Sequence, residues 1–158
     1  MTDRDREFMR QAIRLAEQGM KAGDGGPFGA VIVREGEVIG SGWNRVLATS
    51  DPTAHAEIVA IRDACRRTGN YWLEGSGIYV NCEPCPMCLA AIHWARIGSL
   101  HFAATRKDAA AIDFADDDIY REVCRPPEER VIPTRQILRD ASLEVMRRWP
   151  TLARRRPY

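Results

Sequence analysis

Ile78-Tyr79-Val80-Asn81-Cys82-Glu83-Pro84-Cys85-Pro86-Met87-Cys88, continued by Leu89 to Ala104, is the stretch that decides the fold. Ile78 to Val80 is a β-rich apolar run, and Leu100 to Ala104 is another. Between them Met87 to Arg96 reads as a helix opened by Pro84 and Pro86, since proline suits a first helical turn. Strand, helix and strand in that order predict a parallel pair joined by a crossover. Working toward the N-terminus, Ile58, Val59, Ile61 and Ala64 repeat at helical spacing and stop near Gly69. Asp51-Pro52-Thr53 offers capping and first-turn residues for that helix. Phe28 to Val33 and Val38 to Trp43 flank Arg34-Glu35-Gly36-Glu37 and read as a hairpin. Met9, Ala12, Ile13, Ala16 and Met20 predict a first helix, closed by Lys21 and Gly23. The class is therefore α/β: a hairpin and parallel strands in one mixed sheet, with helices on its faces. Beyond Lys107 the pattern weakens. Asp116-Asp117-Asp118, a Pro126-Pro127 break, a short edge strand around Val131-Ile132 and a helix from about Asp140 to Trp149 are expected there.

The same central stretch carries metal chemistry. Cys85 and Cys88, three apart, share one helix face, and His55-Ala56-Glu57 adds an imidazole and a carboxylate. Residues two apart do not face one side of a helix interior, so His55 and Glu57 converge on one ion only at a helix start. Two helix N-termini then aim partial positive charge at the site, which favours the thiolates that zinc binds. A structural zinc site fills four positions with protein, whereas a hydrolytic one leaves a position for water. One histidine and two cysteines fill three, and Glu57 stands where general acid-base work needs a carboxylate. Ligand sites in such sheets lie beyond the carboxyl ends of strands, which is where these helices begin. Two other readings of the cysteines exist. Cys82, Cys85 and Cys88 resemble the start of an iron-sulfur run, but the slot for its fourth cysteine holds Ile92. Cys82 as a fourth ligand would make the zinc structural, although its place at the end of an apolar strand suits a buried free thiol.

Composition bounds the rest. A chain of 158 residues, 45% of them hydrophobic, fits one domain spanning 1–158. With 23 basic and 22 acidic residues it has no general phosphate-binding surface. The clusters Arg147-Arg148 and Arg154-Arg155-Arg156 read as a solvated end. No apolar stretch approaches a membrane span, and the N-terminus opens on charged residues, so a cytoplasmic protein without membrane partners is expected. Five cysteines, an odd number, suggest reduced thiols and metal ligands instead of a disulfide framework.

With these motifs in place, the chain resembles the cytidine deaminase-like superfamily of zinc enzymes, and within it the bacterial guanine deaminases. Gly26-Pro27-Phe28-Gly29-Ala30, Asp51 to Glu57, Cys82 to Cys88 and Ala91-Ile92-His93-Trp94-Ala95-Arg96 carry the wider likeness. Phe114-Ala115-Asp116-Asp117-Asp118-Ile119-Tyr120, Pro127-Glu128-Glu129-Arg130 and Tyr158 carry the narrower one. The resemblance implies a three-layer α/β/α domain with a five-stranded mixed sheet and one Zn2+ per subunit on His55, Cys85 and Cys88. It implies Glu57 and Asp116 as catalytic residues, with Asn44, Phe28, Trp94 and Tyr158 at the purine. It also implies a homodimer whose C-terminal segments, from about 130 to 158, are exchanged to seal the neighbouring site. Conversion of guanine to xanthine and ammonia is the expected reaction. Ala115 and Asp118 depart from the commonest loop, and which of Asp116, Asp117 and Asp118 faces the site stays open. On residue statistics alone Asn44 reads as a turn residue, Phe28 and Trp94 as core, Asp116 as a helix cap and Tyr158 as a disordered end. His93 and His101 have no ligand spacing. Deamination of another amino-heterocycle (ammeline, guanosine, cytosine or tRNA adenosine) and a zinc-stapled interaction module are the alternatives.

Overall fold

The computed structural model describes residues 2–156 and divides into two compact units, one ending at Asp118 and one starting at Ile119. In the first unit, α1 (Asp3–Ala22) starts at a capping box in which Thr2 accepts from the Asp5 amide and Asp5 accepts from the Thr2 amide. It ends where Gly23 takes a left-handed conformation. Then come β1 (Gly29–Arg34), β2 (Glu37–Trp43), a single turn α2 (Val46–Thr49), α3 (Ala56–Thr68), β3 (Ser76–Cys82), α4 (Pro86–Trp94), β4 (Ser99–Ala104) and α5 (Arg106–Ala110). The hairpin expected between β1 and β2 turns on Glu35 and Gly36, both at positive φ, the geometry that matches the twist of the flanking strands.

Among the described residues the sheet has four strands in the order β2-β1-β3-β4, not the five expected. The missing candidate, Val131-Ile132, pairs with nothing in a ladder, and both residues are exposed. Two apolar residues followed by Pro133 are too few to start a ladder, and that proline lacks the N–H to continue it. β1 is antiparallel to β2 and β3, while β3 and β4 are parallel across α4, as the strand, helix, strand pattern requires. A bulge lies between Ile32 and Val33, where β2 carries one residue more than β1.

Alternation along the strands splits the core between two faces. Ala30, Ile32, Ile78 and Val80 pack with Ala56, Ala60, Ala64 and Ile92 of α3 and α4. Val31, Val33 and Tyr79 point the other way, onto Ala12, Phe8 and Met9 of α1. Helices thus cover both faces of the sheet, giving the three layers expected. Gly40 and Gly42 let α3 lie on β2, because a Cβ on Gly40 would meet the Ala60 carbonyl oxygen at 2.6 Å. Tyr79 donates to Asp5 at 2.6 Å and stacks on His101, fastening the start of α1 to the sheet.

α6 (Asp117–Cys124) spans the unit boundary, and the second unit continues with a 3-10 turn (Pro127–Glu129), α7 (Arg139–Arg148) and another 3-10 turn (Trp149–Thr151). Glu122 organises it locally, accepting from the Val131 amide at 2.7 Å and from Arg125 at 3.3 Å. None of its described residues is buried; Ile137, Leu138, Val145 and Met146 are all exposed. Among the described residues no helix is long and apolar enough to cross a membrane.

Candidate active site

Strand direction assembles the site. Gly29 pairs with Trp43, and Cys82 pairs with Ala104, so Phe28, Asn44, the loop after Cys82 and Thr105 all reach the same edge of the sheet. His55 is the N-cap of α3 and Cys85 the N-cap of α4, both extended, with Pro86 at the first turn of α4. Helix starts are where His55 and Glu57 converge, as their spacing demanded. Asp51 and Thr53 do not begin that helix. Instead Asp51 accepts from the Thr53 amide and hydroxyl, shaping the turn that delivers His55.

His55, Cys85 and Cys88 form a cluster whose donor atoms lie within 4.8 Å of one another. Each sulfur stands 3.5 Å from His55 Nδ1. Zinc bonds of about 2.3 Å to sulfur and 2.0 Å to nitrogen, at the tetrahedral angle, place such donors about 3.5 Å apart. The residues present therefore fit a zinc ion, and the domain is a zinc-binding one. Among the described residues the cluster has three members, which leaves one tetrahedral position for an outside ligand. Cys82, the alternative fourth donor, ends β3 as expected and turns its sulfur to the Thr105 carbonyl at 3.6 Å. The Cys88 hydrogen bond, with His55 helping, holds the Cys85 thiol down to about 4. Cys88 is pushed up, first by its bond to Cys85 and then by burial. Thiols bind a metal as thiolates, so a cation held here would release their protons. His55 is raised by its hydrogen bond to Cys85.

Glu57 is buried beside the cluster, and desolvation raises its carboxyl above the usual range, countered by its own amide. A carboxyl displaced upward in this way is suited to both accepting and giving protons near neutrality. Asn44 is buried; its backbone N–H donates to the Phe28 carbonyl at 2.9 Å and its side-chain Oδ1 accepts from the Val46 backbone N–H at 3.2 Å. With Oδ1 committed to the chain, its NH2 group is what it has for a ligand. Phe28 is half-buried and meets Phe114 edge to face, centroids 5.0 Å apart. Of the three consecutive acids, Asp116 is half-buried while Asp117 and Asp118 are exposed. Desolvation raises Asp116, the Arg106 guanidinium opposes this, and the Cys85 thiolate adds to it.

One expected substrate residue, Trp94, stands away from this cluster. Trp94 is the last residue of α4, about 9 Å along the helix axis from Cys88, and it is 70% exposed. Tyr158 lies outside the described residues. The sequence reading also missed residues that build the site. Asn81 clamps the entry to β1, accepting from Gly29 and donating to the Pro27 carbonyl, both at 2.8 Å. A Cβ on Gly25 would lie 2.0 Å from Asn44 Oδ1, and one on Gly26 would strike both Phe114 and Phe28. The close approach behind Gly25 and Gly26 is a long-range fact.

Comparisons with known proteins agree with this geometry. Residues 2–104 match the model of the cytidine and deoxycytidylate deaminase zinc-binding region. The guanine deaminase of Bacillus subtilis (strain 168) is 47% identical over 151 residues, 96% of this chain and 97% of that one. A crystal structure of guanine deaminase from Bacillus subtilis superposes with a TM-score of 0.95 at 46% identity, covering 100% of this chain and 99% of that one. A tRNA-specific adenosine deaminase of Aquifex aeolicus is 45% identical over 100 residues, 63% of this chain and 66% of that protein. A three-donor metal cluster at two helix starts, beside a buried glutamate and within the matched segment, thus has its explanation: the chain belongs to the cytidine and deoxycytidylate deaminase zinc-binding family.

Proposed function

We propose that this protein is a zinc-dependent aminohydrolase that converts guanine and water to xanthine and ammonia. One observation carries the choice of guanine. The match to a guanine deaminase runs through 96% of the chain, including its last third, whereas the tRNA-specific relative matches 63%. A near-neutral charge balance also disfavours a polynucleotide substrate.

Zinc held by His55, Cys85 and Cys88 would supply Lewis acidity, making a water molecule acidic enough to attack at neutral pH. Glu57 accepts the proton of that water and passes it to the purine ring nitrogen beside the amino-bearing carbon. It carries the second proton to the departing amine, so that ammonia leaves as the new carbonyl forms. Asn44 offers its amide to the purine edge, and Phe28 covers one face of the ring. Asp116 contacts the exocyclic amino group and assists its protonation. Trp94 and Tyr158 contribute to the purine site from segments that meet it in an assembly. That assembly is a homodimer in which the segment from about 130 to 158 is exchanged between subunits of a single-domain protein. In support, residues 119–156 contain no buried side chain, which is what a segment completed by a partner looks like alone. The reaction takes place in the cytoplasm.

Ammonia release from a panel of guanine, ammeline, guanosine, cytosine and a tRNA anticodon stem tests the reading. Guanine is expected to be the best substrate by kcat/KM. Turnover of another member with guanine untouched would overturn the assignment, and no ammonia from a zinc-replete protein on any of them would overturn the reaction class.

A further inference from the structure

We propose that Arg106 is a positioning residue that anchors the loop bearing Asp116 to the loop bearing Cys85. The inference rests on the role given to Asp116 above.

Arg106 opens α5 directly after β4, next to the N-cap Thr105. Its backbone N–H donates to Glu83 Oε2 at 3.1 Å, and its Nε stands 3.6 Å from Glu83 Oε1. Glu83 is itself tied to the end of β4, its amide donating to the Ala104 carbonyl at 2.8 Å. On the other side, Arg106 NH1 lies 3.4 Å from Asp117 Oδ1. One guanidinium thus bridges a carboxylate two residues before a metal ligand and a carboxylate one residue after Asp116.

A single exposed ion pair contributes little, and Asp117 alone would be such a case. Arg106 differs because it is two-thirds covered, engages two carboxylates, and uses its main chain as well as its side chain on Glu83. Guanidinium suits this geometry better than ammonium, since its planar fork holds two acceptors in fixed directions. The start of the loop is held to α5 by the Ile112, Asp113 and Phe114 amides, which donate to the Ala109 and Ala110 carbonyls, and Phe114 sets its ring against Phe28. At the Asp117 end, the Arg106 guanidinium is what ties the residue beside Asp116 to the Cys85 loop. Arg106 also answers which of the three acids faces inward. It draws Asp117 outward to itself, and the neighbouring side chain, Asp116, is the half-buried one.

The test is a double-mutant cycle on the full chain with R106A, R106K and D116N, measuring kcat and KM for guanine, zinc content and amide hydrogen exchange of residues 112–118. R106A is expected to keep one zinc per chain, to lower kcat on the order of 10- to 100-fold with KM changed less than threefold, and to speed exchange in 112–118. R106K should recover part of both effects. In the D116N background, adding R106A should lower kcat less than about twofold, because the residue it positions is already disabled. An equal loss in both backgrounds, or unchanged exchange in 112–118, would overturn the inference while leaving Asp116 in its role. D116N turning over guanine at the wild-type rate would overturn both.

Discussion

Gly40→Ala isolates what the spacing between α3 and β2 does for catalysis. The added Cβ would lie 2.6 Å from the Ala60 carbonyl oxygen, 2.6 Å from the Ala64 Cβ and 2.7 Å from the Ala64 amide nitrogen. Two of these are backbone atoms that no rotamer change can move aside. Restoring ordinary contact at 3.4 Å opens the gap between helix and strand by about 0.8 Å. Overpacking of this kind costs about 1–3 kcal/mol of stability. The same helix carries His55 at its cap and Glu57 in its first turn, so the displacement reaches the proton-transfer geometry. Misplacement on the order of 1 Å costs about 100-fold in rate, which sets the expected fall in kcat at ten- to a hundredfold. Gly69→Ala is the control. Gly69 ends the same helix at positive φ with nothing near its missing Cβ, so alanine there costs about 1–2 kcal/mol of backbone strain without pushing α3 off the sheet. Urea denaturation and guanine turnover, with zinc measured on each preparation, compare the two. Both variants should lose comparable stability, and only Gly40→Ala should lose turnover. Wild-type kcat in Gly40→Ala, or an equal kinetic loss in Gly69→Ala, would refute the link between this contact and the chemistry.

Other expectations follow from the site and from the α1 face. Glu57→Gln should retain zinc by elemental analysis and lose kcat on the order of 10²- to 10⁴-fold, as removal of a general acid-base does. Stripping zinc with a chelator should abolish ammonia release, lower the thermal midpoint and be reversed by adding zinc back; a chelated protein that still turns over guanine would contradict the metal assignment. Tyr79 is pushed up to about 12, first by burial and then by its bond to the Asp5 carboxylate. Its folded pKa is above the unfolded one, so its contribution is complete below about pH 10 and lost as pH rises toward 12. Urea midpoints should fall across that window in the native protein and fall less in Tyr79→Phe. Asp5, held at about 2 by the Thr2 amide and then by Tyr79, has the opposite sign: its contribution is present above about pH 4 and lost as pH falls toward 2.

Legibility in the sequence tracked the range of the interaction. His55 and Glu57 had to sit at a helix start because their spacing allows no other convergence, and the structure places them at the cap and first turn of α3. The β1-β2 hairpin and the crossover through α4 were readable for the same reason, being written in local periodicity and turn chemistry. Val131-Ile132 failed as a strand because two β-branched residues show propensity without the partner or the length a ladder needs. Asn44, Gly25, Phe28 and Phe114 meet across large sequence separations, so their mutual fit left no local trace. The choice among three consecutive acids was equally opaque, since the guanidinium paired with Asp117 lies far upstream, on Arg106.

His55 and Cys85 occupy the places where Ser, Thr, Asp or Asn would best secure a helix beginning; the His55 side chain bonds no first-turn amide, and Cys85 offers only its sulfur to the Cys88 amide. The histidine forgoes about 1 kcal/mol of local stability that an oxygen-bearing residue would return, and sulfur is the weaker acceptor at the other cap. Selection for turnover maintains this sacrifice, and a lineage released from it would drift toward the better-capped alternatives. A descendant that had abandoned deamination should therefore be recognisable by hydroxyl or carboxylate residues at these two positions, with the sheet and its glycine contacts intact and a melting temperature above that of the metal-free ancestor.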